Sequence, residues 1–388
     1  MTWRDWLAAD AAGRAAGGLP RPAPRPVDDP TTDLAGNDYL GLAGDPTVQM
    51  AAAHAALTWG AGAGSSPLVN GSLQLHAELE SELAAYLGQP SALVVPSAYL
   101  APVAVLTALA DASCRVVLPA GARPALVDGA RLSGARVAEV PHAPAGTVST
   151  ADPADTVDPV DAVRRALVAA GTAGERSLVV VESVGSVLGD AAPLAALAQV
   201  CEEHDALLIV DESHALGVHG PGLVAGSGLA GLPHVLVTTG LSEALGSQGG
   251  AVLGPEAVRE HLVARARPLG DDAALAPAPT AAALAALRLL HEQPELATVV
   301  RRRVAELAAA LAVPAPAGAA LSLPMSSPQA AVAARAAALA AGVRVGCVLP
   351  PDVPGGGALL RITASAAIDD DAWRRALDVL QQVVKEHG

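Results

Sequence analysis

The sequence predicts a doubly wound α/β protein: a mostly parallel seven-stranded sheet with helices on both faces, followed by a smaller C-terminal α+β domain. Three observations carry this expectation. Apolar runs such as LVVVE and ALLIVD are continuous, as strands buried on both faces require. Helical stretches separate those runs, the order of a sheet wound on both sides. From Pro277 onward the chain becomes Ala-rich and helical, with a single short strand-like run.

Taken in order, residues 1–33 read as an N-terminal arm that ends in the Pro-rich stretch PRPAPRPVDDPTTD. Strands are expected at Ala92 to Val95, Val116 to Leu118, Val137 to Val140, Leu178 to Glu182, Leu207 to Asp211, His234 to Thr238 and Ala251 to Leu253. Helices fall between them at Leu75 to Leu87, Pro193 to Glu203 and Val258 to Arg265, so the large domain is placed at residues 34–276. Helices at Ala281 to Leu290, Leu296 to Leu311 and Gln329 to Ala341, a strand at Leu359 to Thr363 and a last helix make a small domain of residues 277–388. No repeat or low-complexity linker separates the two, so close packing is expected.

A chain of 388 residues has ample apolar surface for such a core. Its formal charge of −15 disfavours nucleic acid and anionic lipid as partners. Phe is absent and aromatics are scarce, which removes the stacking surfaces of single-strand binders. No apolar run reaches the roughly 18 to 20 residues of a spanning helix. The start, MTWRDWLAADAAGRAAGG, lacks the basic end and apolar stretch of a signal peptide, so a cytoplasmic location is expected. Cys114, Cys201 and Cys347 show no ligand spacing and read as small buried apolar residues, with neither disulfide nor metal site.

In an open α/β sheet, ligands sit outside the carboxyl ends of the strands. ALLIVD ends in Asp211, with His214 three residues on; LVVVE ends in Glu182, followed by Ser183 and Ser186; HVLVTT ends in Thr238 and Thr239. A strand-end carboxylate such as Asp211 also serves simply to cap a turn. The planar fork of Arg361 suits a ligand carboxylate and equally a structural ion pair. WGAGAGSSP, from Trp59, is Gly-rich but follows a helix, so it fails the strand-to-helix context of a dinucleotide loop.

Seven segments taken together carry more than any one of them: NDYLGL from Asn37, GAGAGSSPLVNG, His76 with Glu80, ESVGSVLGDAAP from Glu182, VDESHALGVHG from Val210, LSEALGSQGGAVLG from Leu241 and LLRITAS from Leu359. In order and spacing they resemble the α-oxoamine synthases, from about residue 30 to the carboxyl end. The resemblance implies a fold type I aminotransferase-like subunit, a homodimer with active sites at the subunit interface, and pyridoxal phosphate as the family's cofactor. It implies an acyl thioester of CoA or an acyl carrier protein as one substrate and a small carboxylate-bearing acceptor as the other. Asp211 then matches the partner of the pyridine nitrogen, His214 the histidine beside the cofactor and Arg361 the holder of the substrate carboxylate. Ser97, Tyr99 and Ser186 fall in segments around the cofactor, and Asn37 and Arg123 join Arg361 as candidate substrate contacts.

The chain departs from the family at several of these places. Thr-x-Ser-Lys, which carries the imine lysine, reads Gly240-Leu241-Ser242-Glu243; the ring-stacking histidine aligns with Arg123, and an expected aromatic with Gly185. The phosphate-binding Ser or Thr of the neighbouring subunit aligns with Ala273, and an Arg of the early Gly-rich loop with Pro67. A carboxylate forms no imine and repels a phosphate. The expectation is therefore that pyridoxal phosphate is not held covalently and is absent or bound only weakly, with Arg123 and Glu243 paired across the vacated space.

The reading favoured on these grounds is an acyltransferase or thioester-processing enzyme independent of pyridoxal phosphate, with His214 or Glu243 as general base. The alternatives are a non-catalytic pseudoenzyme subunit and an ordinary cofactor-dependent member of the family. Against the last stands a chain whose one lysine is Lys385.

Overall fold

The computed structural model describes residues 1–16, 31–142, 158–350, 352–353 and 357–388. Among the described residues eleven strands run in chain order: β1 (Thr32–Leu34), β2 (Ser91–Val95), β3 (Cys114–Pro119), β4 (Arg136–Val140), β5 (Arg176–Glu182), β6 (Leu207–Asp211), β7 (Val235–Gly240), β8 (Gly250–Gly254), β9 (Ala320–Met325), β10 (Val343–Val348) and β11 (Ala358–Thr363). The seven strands expected in the large domain form one sheet in the order β2-β8-β7-β6-β5-β3-β4. β8 runs antiparallel to both of its neighbours, and the pairs from β7 to β4 are parallel.

Successive side chains of a strand point to opposite faces, and here both faces are covered. Val179, Leu208, Val210, Val235 and Val237 pack into one apolar cluster, which continues through Leu290 and Leu321 to Leu360 and Trp373. Val180, Ile209 and Leu236 pack into a second cluster, with Leu106 and Leu126 from the helices Leu100–Leu109 and Pro124–Leu132. This two-sided burial, worth about 1.5–3 kcal/mol per fully buried large aliphatic side chain, is why the strands read as unbroken apolar runs. The register carries function as well. Glu182 lies opposite Asp211, and Asp211 opposite Thr238. By alternation these three side chains share the face of Val180, Ile209 and Leu236.

A second sheet has the order β1-β10-β11-β9. Only β11 was expected there. β1, three residues long and directly after the Pro-rich stretch, pairs in parallel with β10. β9 carries Pro324 and pairs only with β11, so that proline sits on an edge strand. The start of the chain forms a helix at Trp3–Ala16 with Trp3 and Trp6 exposed. Most of the Pro-rich stretch lies outside the described residues. Cys114 and Cys201 are buried as expected, whereas Cys347 is half-buried. Among the described residues no helix is long and apolar enough to cross a membrane.

The turn after β7 is held rigidly. Leu241 N–H donates to the Gly249 carbonyl (3.0 Å), Ser247 N–H to Leu241 (3.0 Å) and Gly246 N–H to Glu243 (3.1 Å). Gly246 has φ +57°, and a Cβ there would lie 2.2 Å from the Ala43 backbone nitrogen. The turn is thus pressed onto the segment that follows Asn37 and Tyr39, with no room for a side chain. Gly246→Ala should lower stability by about 1–3 kcal/mol or more, read as a shifted urea midpoint; an unchanged midpoint would show that the turn yields.

Candidate active site

Asp211 is the centre of the site. It ends β6 almost fully buried, and its carboxylate accepts three hydrogen bonds from two nitrogens: Ser213 N–H to Oδ1 at 2.9 Å and Arg123 Nη1 to both oxygens at 3.1 Å. Arg123 directly precedes the helix Pro124–Leu132, on the face to which Asp211 points. Its Nη1 also donates to Ser213 Oγ at 3.0 Å. Asp211 is the main reason that the Arg123 pKa stands above its ordinary value, with Glu182 and Glu243 adding to it and burial opposing. A buried guanidinium on a buried carboxylate is a charge-assisted contact, and neither group can be left alone without a large desolvation penalty.

This replaces the direct Arg123–Glu243 pair expected from the sequence: among the described residues the ion pair of Arg123 is with Asp211. Glu243 is 7% exposed, and among the described residues the side-chain donor to its carboxylate is Ser242 Oγ at 3.2 Å. Its side chain folds back over Gly240, where a Cβ would stand 2.0 Å from Oε2. Gly240 N–H donates to Ser213 Oγ at 2.9 Å, which brings Glu243 to the edge of the Arg123–Asp211 contact. Burial raises the Glu243 pKa, and Arg123 only partly offsets that. Glu182 closes the row, with Oε2 accepting from Arg123 N–H (3.3 Å) and Oε1 from Ser186 N–H (3.0 Å), and burial raises its pKa too.

His214 is reached from the other side. Its Nδ1 shares a 2.5 Å hydrogen bond with the hydroxyl of Tyr39, itself 1% exposed. Burial, then the positive charges of Arg361 and Arg123, push the His214 pKa down to about 3. The imidazole is therefore neutral near pH 7 and a weak proton acceptor, better suited to orienting Tyr39 than to acting as general base. Arg361, on β11, gives Nε to the Ser186 carbonyl and Nη1 to Asn37 Oδ1 and Thr363 Oγ1, each at 3.1 Å. All of these partners are neutral.

Of the nine expected residues, Asp211 meets Arg123 and Arg361 meets Asn37 through their side chains, while His214 and Glu243 feel the charge of Arg123 without contacting it. Ser186 joins through its backbone. Ser97 instead accepts from Leu100 N–H at 3.2 Å, at the start of the helix Leu100–Leu109. Tyr99 is exposed and donates to Asp128 at 2.6 Å. The sequence reading did not single out Tyr39, Ser213 and Thr363. Each lies within two residues of a predicted one, and that proximity was the available signal.

These side chains do not fit a cofactor linked to the protein through an imine. The carboxylate that would face a pyridine nitrogen is taken on both oxygens by Arg123, position 243 holds a carboxylate, and the one lysine is in the last turn of the helix Asp370–His387.

Comparison with known proteins sets this geometry in a family. The family model for aminotransferase class I and II matches residues 29–380. 8-Amino-7-oxononanoate synthase of Mycolicibacterium smegmatis is 47% identical over 98% of this chain and 96% of its own length. Among solved structures, Sphingomonas wittichii serine palmitoyltransferase superposes with a TM-score of 0.86 at 25% identity, covering 99% of this chain and 98% of that one. A lysine-to-alanine variant of serine palmitoyltransferase from S. paucimobilis, solved with a bound pyridoxal phosphate–myriocin aldimine, superposes at 0.83 and 26% identity with the same coverage.

These relatives overturn the expectation that pyridoxal phosphate is absent or only weakly bound. That expectation rested on the missing lysine together with the other changes around the pocket, and the last structure separates lysine loss from cofactor loss: a variant that has given up a lysine still carries the group.

A carboxyl whose folded pKa stands above its unfolded value holds its proton more tightly in the folded state. Stability then falls as pH rises from the ordinary glutamate value of 4.5 through the raised one. Glu243→Gln removes this loss at one position. The variant should melt at the same temperature as the parent in acid and at a higher one near neutrality, the gap opening as pH rises. A gap independent of pH, measured by thermal melts across that range, would contradict the assignment.

Proposed function

Because the chain belongs to the aminotransferase class I and II family, and within it to the α-oxoamine synthases, we propose that it is an acyltransferase of the 8-amino-7-oxononanoate synthase type. It moves an acyl group from a CoA or acyl-carrier thioester onto a small carboxylate-bearing acceptor. One observation carries the reading. Arg361 is fixed at the site by three neutral acceptors, and among the described residues no carboxylate makes an ion pair with it. A held cation with no counter-ion is a carboxylate seat.

Around that seat each residue has a task. Asn37 and Thr363 set the plane of the guanidinium, Tyr39 and His214 form the neutral wall beside it, and the Arg123–Asp211 contact closes the floor. Pyridoxal phosphate comes to this reading from the relatives as the expected cofactor, with the imine lysine not among the residues present. A homodimer belongs to the reading as well, supported by Met50, Leu57, Leu68 and Val69, large apolar side chains exposed between 51% and 88%.

Thiol release from acyl-CoA, with pyridoxal phosphate supplied, should depend on a carboxylate-bearing acceptor. Arg361→Ala should raise the KM for that acceptor about tenfold or more, the loss of one charge-assisted contact, and Arg361→Lys should recover part of it. Release that ignores the acceptor, or a KM indifferent to Arg361, would remove the proposal. Light scattering should give twice the chain mass of 38.4 kDa; a single-chain mass would remove the dimer.

A further inference from the structure

A second chamber lies behind the large sheet. About 60 Å³ of it is open to the centres of water molecules. Its apolar wall is Val117 of β3, Val179 of β5, Val163 of the helix Pro159–Thr172 and Leu197 of the helix Leu194–Glu203, all buried and all in the cluster on the face of the sheet away from Asp211. One water takes roughly 10–15 Å³ of such space, so the chamber has room for about four to six non-hydrogen atoms.

The polar end of the chamber is formed by His142, just after β4, and Asp190. The loop after β5 folds back to place Asp190: Gly185 N–H donates to the Asp190 carbonyl and Gly189 N–H to the Gly185 carbonyl, each at 2.8 Å. A Cβ at residue 185 would stand 2.6 Å from Asp190 Oδ1, so the carboxylate keeps this position because Gly185 has no side chain. His142 Nε2 lies 3.1 Å from Asp190 Oδ2. Asp190 raises the His142 pKa against the effect of burial, and Glu182 adds to it, which favours the imidazolium and its second N–H.

Two atoms of this pair are left over. Among the described residues neither His142 Nε2 nor Asp190 Oδ1 has a hydrogen-bond partner, although both atoms are buried. Buried polar atoms are ordinarily satisfied, so a donor and an acceptor side by side at the end of an apolar chamber describe the molecule that completes them. Its head must accept from Nε2 and donate to Oδ1. A carboxylate only accepts and an ammonium only donates, whereas a primary amide does both through adjacent atoms. A neutral head also adds no charge to a pair that already balances itself.

We propose that this chamber is a binding site for a short aliphatic primary amide, its head on His142 and Asp190 and its tail among Val117, Val163, Val179 and Leu197. The site is separate from the Arg361 seat, and neither reading depends on the other.

Calorimetric titration of the purified protein near neutral pH with propionamide, its isomer N,N-dimethylformamide and n-propylammonium tests it. Propionamide should bind about tenfold tighter than the isomer, which accepts but cannot donate, and than the ammonium, which donates but cannot accept. Asp190→Ala should erase the preference over the isomer. Val163→Phe, which fills the chamber, should abolish binding of propionamide, and thermal melts establish that both variants are folded. Equal affinities for the two isomers, a preference that survives Asp190→Ala, or binding indifferent to Val163→Phe would overturn the proposal. Failure of the parent protein to bind propionamide would overturn it without recourse to any variant.

Discussion

The contact between Arg123 and Asp211 is the constraint from which the rest of the site follows. A carboxylate 2% exposed at the end of a parallel strand needs compensation, and the guanidinium supplies it with one nitrogen on both oxygens. That choice fixes Ser213, whose hydroxyl accepts from the same nitrogen and from Gly240 N–H. It also gives Glu182 a donor, the Arg123 backbone N–H. With Arg123 committed in this way, Glu243 is attracted without being in contact, and burial dominates its pKa. The low pKa of His214 has the same origin in part, since after burial itself two arginines disfavour the imidazolium.

The large sheet was legible because burial on both faces writes itself into the strands. Each of the seven runs was placed within about three residues of its end, since Val, Leu and Ile continue for as long as both helical layers cover the strand. The second sheet was not legible for the converse reason. β1 is three residues long, β9 contains Pro324, and β10 is VRVGCV, with Arg344 and Gly346 at alternate positions. None offers an apolar run, because each owes its place to partners far away in sequence. β1 finds β10 across some three hundred residues, and no local pattern can announce that.

Within the site, strand ends located Asp211 and Glu182 correctly, for the general reason that a parallel sheet presents its carboxyl ends to the ligand. Pairing was harder. Arg123 and Glu243 were matched as the two unfamiliar charges, yet a guanidinium pairs with the carboxylate that the fold brings within its reach. Asp211, at the end of β6 and 3.1 Å from Arg123 Nη1, is that carboxylate. Tyr39 escaped notice because its importance lies in a contact with His214, 175 residues away. Ser97 and Tyr99 show the opposite error: their segment is in place, but their hydroxyls serve the helix start and Asp128.

The unfamiliar residues fit one another. Gly240 leaves the room that the carboxylate of Glu243 occupies, and Gly185 leaves room for Asp190, whose Oδ1 would be 2.6 Å from a Cβ there. Arg123 fills the place in front of Asp211 and balances part of the charge that Glu243 brings. Changes that accumulate without constraint leave clashes, voids and unmatched charges, because a packed interior tolerates few independent substitutions. Here the glycines, the arginine and the glutamate are complementary in volume and in sign. Arg361, held by three neutral acceptors, keeps its charge for a bound molecule.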